Sequence, residues 1–311
     1  ALVGIQLSAF TALWHATEGA PIYRVDHPAF FYRLWSFGQS MPRAIYYDPF
    51  WNGGKVMPYL LASGILSPGF FLWPVWKFVS THTAYTPAFG FLFLIVVPLL
   101  AAFSARLLSR SREMAVTAAL LSLGTSHFYF VHLVHYGTIG SLFATAFLMP
   151  LAAALYRMIV RQKTDWLTIL SLFGSGLFLL CWPPAAVMAI PIGIAILCNA
   201  RRLTRRTIFW LVGFAAAMVA VFALPAISLL VHSDVQALTR TTRTGLTGAD
   251  LREGWHVLAN LLRQTHPAIL FMGLFGACLS PSKDLRRWFA PILITSMLIA
   301  GWGAEWKADL Q

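Results

Sequence analysis

Long apolar runs alternate with short polar loops along nearly the whole chain, and the length of the runs predicts membrane-crossing helices. Nine spans are expected, at about 1–14, 87–106, 114–132, 138–157, 166–181, 184–199, 207–231, 267–280 and 287–303. Several approach or exceed the roughly 18–20 residues needed to cross a hydrocarbon core of about 30 Å. Two polar stretches interrupt the alternation. The first begins near residue 15 and is rich in aromatics, and the second covers about 232–265. After the first, residues 58–79 are apolar but broken by Gly64, Pro68, Gly69 and Pro74, which suits an interfacial or re-entrant segment with Trp73 and Trp76 at headgroup level. The apolar runs are continuous, whereas barrel strands alternate residue by residue. The expected fold is all-α: one polytopic helical membrane domain over 1–311, with a long first outer loop at about 15–85 and no internal repeat.

Composition supports this reading. The chain is 58% hydrophobic and 11% charged, more apolar surface than a soluble domain can hide. Its net charge of +12 changes meaning once located. Arg106, Arg110 and Arg112, then Arg157, Arg161 and Lys163, then Arg201, Arg202, Arg205 and Arg206, and finally Lys283, Arg286 and Arg287 sit in loops with only Glu113, Asp165 and Asp284 for acidic company. Such clusters are topology determinants that place those loops in the cytoplasm, and they argue against a nucleic-acid partner. Loops 15–85 and 232–265 then face outward, so 58–79 cannot cross once. Cys181, Cys198 and Cys278 show no metal spacing and no disulfide framework. The chain opens inside an apolar run without Met, and we expect a piece truncated at both ends.

Polar chemistry gathers at the outer ends of the spans. In Tyr23-Arg24-Val25-Asp26-His27-Pro28-Ala29-Phe30-Phe31-Tyr32-Arg33 a carboxylate follows the first span almost at once. If 27–37 is helical, Asp26 is its N-cap and Arg33 lies about two turns on. Asp26 is either a cap or an ionised base that takes a proton from, or orients, an acceptor hydroxyl. Arg33 is placed to pair with a phosphate, with His27 beside the carboxylate. Met41–Gly54 supplies Arg43 and Asp48 within turn chemistry and an aromatic platform that either binds sugar or seats the loop on the bilayer. His132, His135 and Tyr136 end the third span. They are interface groups or a polar wall for a ligand, and they lack the third ligand of a zinc site. Arg240 and Arg243, in a Thr-rich run of the second outer loop, suit lipid phosphate or simple solvation.

This arrangement resembles the GT-C superfamily of polytopic glycosyltransferases, and within it a bacterial group with an Asp followed seven residues later by Arg, then Pro-Arg, an aromatic Gly-Gly segment and Ser-Pro. Here those positions read Asp26, Arg33, Pro42-Arg43, Trp51-Asn52-Gly53-Gly54 and Ser67-Pro68; Tyr136-Gly137 and Pro150 also fit. The chain departs at Phe30, where the group often has His, and at Ser141, where it often has an acid. The resemblance implies an inverting transferase of the bacterial inner membrane, acting on its outer face. The donor would be a polyprenyl-phosphate-linked sugar, and the acceptor a saccharide, lipid or protein. It implies Asp26 as the catalytic carboxylate, no assigned metal ligand, and room for a divalent metal. The rival readings are a flippase for lipid-linked saccharide and a non-catalytic assembly factor of the same fold.

Overall fold

The computed structural model describes residues 2–22, 25–40, 64–109, 111–182, 188–232, 273, 276 and 282–302. All regular structure among them is helical. In chain order the helices are α1 (Leu2–Thr17), α2 (His27–Ser40), α3 (Leu66–Trp76), α4 (Thr81–Gly90), α5 (Val97–Leu108), α6 (Arg112–Tyr136), α7 (Ile139–Thr145), α8 (Leu148–Ile159), α9 (Trp166–Leu180), α10 (Ile190–Cys198), α11 (Arg205–His232) and α12 (Lys283–Trp302). Two compact units form: Ala1–Ala185 with Arg205–Leu229, and Ala186–Thr204 with Leu230–Gln311.

Among the described residues three stretches are long and apolar enough to cross a membrane: Thr81–Leu108, Ile139–Ile159 and Arg205–Ala223. Among the described residues the other expected crossings are not shown to reach that measure, and part of the side chains of α6, a helix of 25 residues, lies outside them. Helix α9 is apolar but has 15 residues, about 22 Å. Only nine residues of the expected sixth span form α10. Helix α12 opens with the charged turn Lys283–Arg287, and 267–280 falls almost wholly outside the described residues. Helix α3 has 11 residues, about 16 Å, which is too short to cross.

In the first unit α8 is the central helix. Nearly every residue from Pro150 to Ile159 is buried, as expected for a helix apolar on all sides. Ala152, Ala153 and Ala154 let its neighbours approach closely, the usual device of helix packing in lipid. Helices α5 and α9 pack against α8, and α6 packs against α5. Helix α1 lies on α6, where the buried Gln6 donates from Nε2 to the Leu123 carbonyl at 2.6 Å. Phe71, Phe143, Phe147 and Phe178 form an aromatic cluster where α3, α7, α8 and α9 meet. Helix α11 keeps its apolar side chains outside: Phe209 is 70% and Val219 66% exposed, a surface suited to lipid rather than water.

The longest of the three apolar stretches is continuous from Thr81 to Leu108 but widens to a π-turn at Phe91–Val96, where the Val97 N–H reaches back to the Leu92 carbonyl. Pro98 follows directly. It has no N–H to give the Leu94 carbonyl and its ring crowds that group, so the ladder adapts in the turn before it.

In the second unit α10 packs on α12. Asn199 donates to the Ala195 and Arg287 carbonyls, Arg202 pairs with Asp284 at 2.6 Å, and Trp288 is fully buried.

Candidate functional site

Helix α2 carries the central candidate. It follows α1 in the chain and has 14 residues. Its phenylalanines and Leu34 recur at helical spacing, so Phe30, Leu34 and Phe37 are buried together with His27. Glycines set how closely it packs. A Cβ on Gly69 would meet the Phe37 ring at 2.7 Å, and one on Gly38 would meet the Trp76 ring at 3.0 Å. Each of the two helices thus leaves a gap for an aromatic of the other.

The N-terminus of α2 is locked by His27, which is fully buried. Its Nε2 lies 3.0 Å from the Val134 carbonyl in the last turn of α6, so that nitrogen carries the proton. Its Nδ1 lies 3.1 Å from the Tyr85 hydroxyl on α4 and accepts from it in the neutral ring. Burial lowers the His27 pKa, opposed by the Val134 hydrogen bond and the negative charge of Asp26. The turn after α6 closes on the same ring. Gly137 has φ +76°, and a Cβ there would stand 2.6 Å from His27 Cγ and 2.8 Å from His27 Cα. The expected Tyr136-Gly137 feature and the first long loop therefore meet at this point.

Asp26 is exposed. Its carbonyl accepts the first hydrogen bond of α2, from the Phe30 N–H at 3.1 Å, which makes it the N-cap residue. Its carboxylate makes no hydrogen bond or ion pair with any described residue. The residue before it, Val25, has φ +51°, costly for a β-branched side chain. Arg33 lies seven residues from Asp26, on the same side of α2. It is half-buried, with its guanidinium 5.4 Å from the centre of the Phe30 ring. Burial lowers the Arg33 pKa and the charge of Asp26 raises it.

The structure thus brings His27, and with it the neighbouring Asp26, to the end of α6 that bears His135 and Tyr136, while Arg33 lies two turns further along α2. Those two rings are exposed and stacked edge to face, with centroids 4.4 Å apart. Arg43, Asp48, Arg240 and Arg243 lie outside the described residues, as does the side chain of His132. Among the described residues no group of three His, Cys, Asp or Glu could hold a metal ion.

A cleft of about 480 Å³ opens on the opposite side of α2, walled by Phe31, Tyr32, Trp35 and Trp76, with Gln39 and His82 at its polar edge. Among the described residues its lining contains no Lys, Arg, Asp or Glu. Aromatic faces with neutral hydrogen-bonding groups suit an uncharged, hydroxyl-bearing ligand rather than a phosphate. Sequence reasoning put Trp76 at headgroup level and gave Trp35 no part. The signal for the cleft is that Phe31, Tyr32 and Trp35 fall together on the side of α2 away from Phe30, Leu34 and Phe37.

No family model, curated protein or solved structure matches the chain.

Proposed function

We propose that the chain is a membrane glycosyltransferase that moves a sugar from a polyprenyl-phosphate-linked donor to an acceptor hydroxyl. The observation that carries this reading is the state of Asp26. It is an exposed carboxylate with no described partner, on a helix terminus held rigid by a buried histidine, and it shares a side of α2 with a half-buried arginine.

In this mechanism Asp26 accepts the proton of the acceptor hydroxyl, or orients it, as the oxygen attacks the anomeric carbon from the face opposite the phosphate. The bond from that carbon to the phosphate oxygen breaks, configuration inverts, and polyprenyl phosphate leaves. Arg33 holds the departing phosphate by charge-assisted hydrogen bonds. Arg43, Arg240 and Arg243 are assigned to the same anion, and His135 and Tyr136 to the cavity wall. His27 is a positioning residue, since both ring nitrogens are engaged. The neutral cleft, on the far side of α2 from Asp26, would take sugar units of an extended acceptor remote from the reacting hydroxyl. By the positive-inside rule the site faces away from the cytoplasm, on the outer side of a bacterial inner membrane.

The test is turnover by the full chain in nanodiscs, with a panel of radiolabelled polyprenyl-phosphate sugars and lipid extract as acceptor source. Label moving from donor to a new product supports the reading. Intact donor throughout, with folded protein, overturns it.

A further inference from the structure

The second unit carries a cationic cleft that the transferase reading does not use. Its volume is about 580 Å³, and its lining is Lys283, Arg286, Arg287, Ala290, Pro291 and Cys198. Three cations stand in one or two turns at the start of α12. Asp284 lies among them, but its carboxylate is taken by Arg202 at 2.6 Å. Among the described residues no carboxylate pairs with Lys283, Arg286 or Arg287. Ser282 starts α12, its carbonyl accepting from the Arg286 N–H and its hydroxyl from the Leu285 N–H, so the positive end of the helix points to the same place.

The surface beyond the cations decides the ligand. Lys283, Arg287, Pro291, Ile294 and Leu298 recur at three- and four-residue spacing and so share one face of α12. Ile294 is 55% and Leu298 45% exposed. This face therefore begins as charge and continues as an open apolar track. From Arg287 to Leu298 the helix rises about 16 Å, close to the depth of one leaflet's hydrocarbon, about 15 Å. Helix α10 repeats the pattern: Cys198 lines the cleft and Leu197 and Ile190 are exposed.

We propose that this cleft binds an anionic phospholipid, with its headgroup phosphate among Lys283, Arg286 and Arg287 and an acyl chain along Ile294 and Leu298. A free phosphate would use the cations and leave the track idle. A zwitterionic lipid would use the track and set its own cation against the cleft.

The experiment is native mass spectrometry of the full chain, released from nanodiscs of mixed phosphatidylglycerol and phosphatidylcholine. Each cation near an anionic headgroup contributes about fivefold in affinity. The Lys283→Gln/Arg286→Gln/Arg287→Gln variant should therefore lose its preference for phosphatidylglycerol by on the order of 100-fold, and Arg286→Gln alone, which touches little else, by about fivefold. Ile294→Ser/Leu298→Ser should retain fewer lipids of either kind. Equal retention of both lipids by the wild-type protein, or unchanged preference in Arg286→Gln, overturns the proposal. So does full displacement of phosphatidylglycerol by soluble glycerol phosphate, which would make the site one for a free anion.

Discussion

Replacing Gly137 by alanine is the sharpest perturbation of the lock at the end of α6. Two costs combine at this position. The backbone sits at φ +76°, where an L-residue with a Cβ is disfavoured by about 1–2 kcal/mol. The new methyl would also stand 2.6 Å from His27 Cγ and 2.8 Å from His27 Cα. A flexible side-chain tip could swing aside, but Cα is backbone, and the His27 ring is held at both nitrogens. Overpacking against groups that cannot yield costs about 1–3 kcal/mol. Together Gly137→Ala should destabilise by roughly 2–5 kcal/mol, or shift the N-terminus of α2 and loosen Asp26 with it. The control is Gly174→Ala on α9, where nothing lies within 4 Å and the gain in helix propensity is about 1 kcal/mol. Thermal unfolding in one detergent, read by tryptophan fluorescence, compares the pair. Gly137→Ala should melt well below wild type and Gly174→Ala at or above it. Equal melting of the two variants would refute the close approach of Gly137 to His27.

Further predictions rest on neighbouring groups. Because the His27 pKa is lowered on folding, the unfolded chain takes up the proton first as pH falls. This group's contribution is complete above its ordinary pKa of 6.5 and is lost as pH falls through the lower folded value; in His27→Gln that part of the pH dependence of melting should vanish. Tyr85→Phe removes the donor to His27 Nδ1 and should cost about 1 kcal/mol, measured by the same melt. Asp165 accepts from the Thr168 hydroxyl at 2.7 Å, caps α9 through the Thr168 N–H at 3.0 Å and pairs with Arg157. These contacts hold its pKa down to about 2, so its stabilisation is present above pH 3.8 and fades as pH falls toward 2. Asp165→Ala should cost about 1 kcal/mol at neutral pH and nothing at the acid end. Trp35→Ala strips one wall of the neutral cleft and should raise the KM for acceptor with kcat little changed.

Helices were legible because apolar runs of the right length have few alternatives, and α2 was legible from its spacing after Asp26. The face shared by Asp26 and Arg33 followed from seven residues being two turns. The lock was not legible. Nothing local marks Gly137 as left-handed, and its reason for being glycine is a backbone more than 100 residues away in the chain. The packing of His27 was not legible for the same cause: beside Asp26 it reads as a site group, while the structure buries it with both ring nitrogens hydrogen-bonded. The π-turn before Pro98 also escaped, because a proline within an apolar run says that the ladder must adapt without saying how. Crossing ends are the least legible part, because apolar composition continues through turns, as between Cys181 and α10.

The most direct measurement separates binding from turnover at Asp26. Wild type and Asp26→Asn, each in nanodiscs, would be loaded with the same polyprenyl-phosphate sugar, with bound donor counted by native mass spectrometry and product counted after acceptor is added. The account predicts similar donor occupancy in both and a fall in turnover of about 10²–10⁴ in the variant. Equal turnover with equal expression would contradict it and leave Asp26 as the cap of α2 and nothing more.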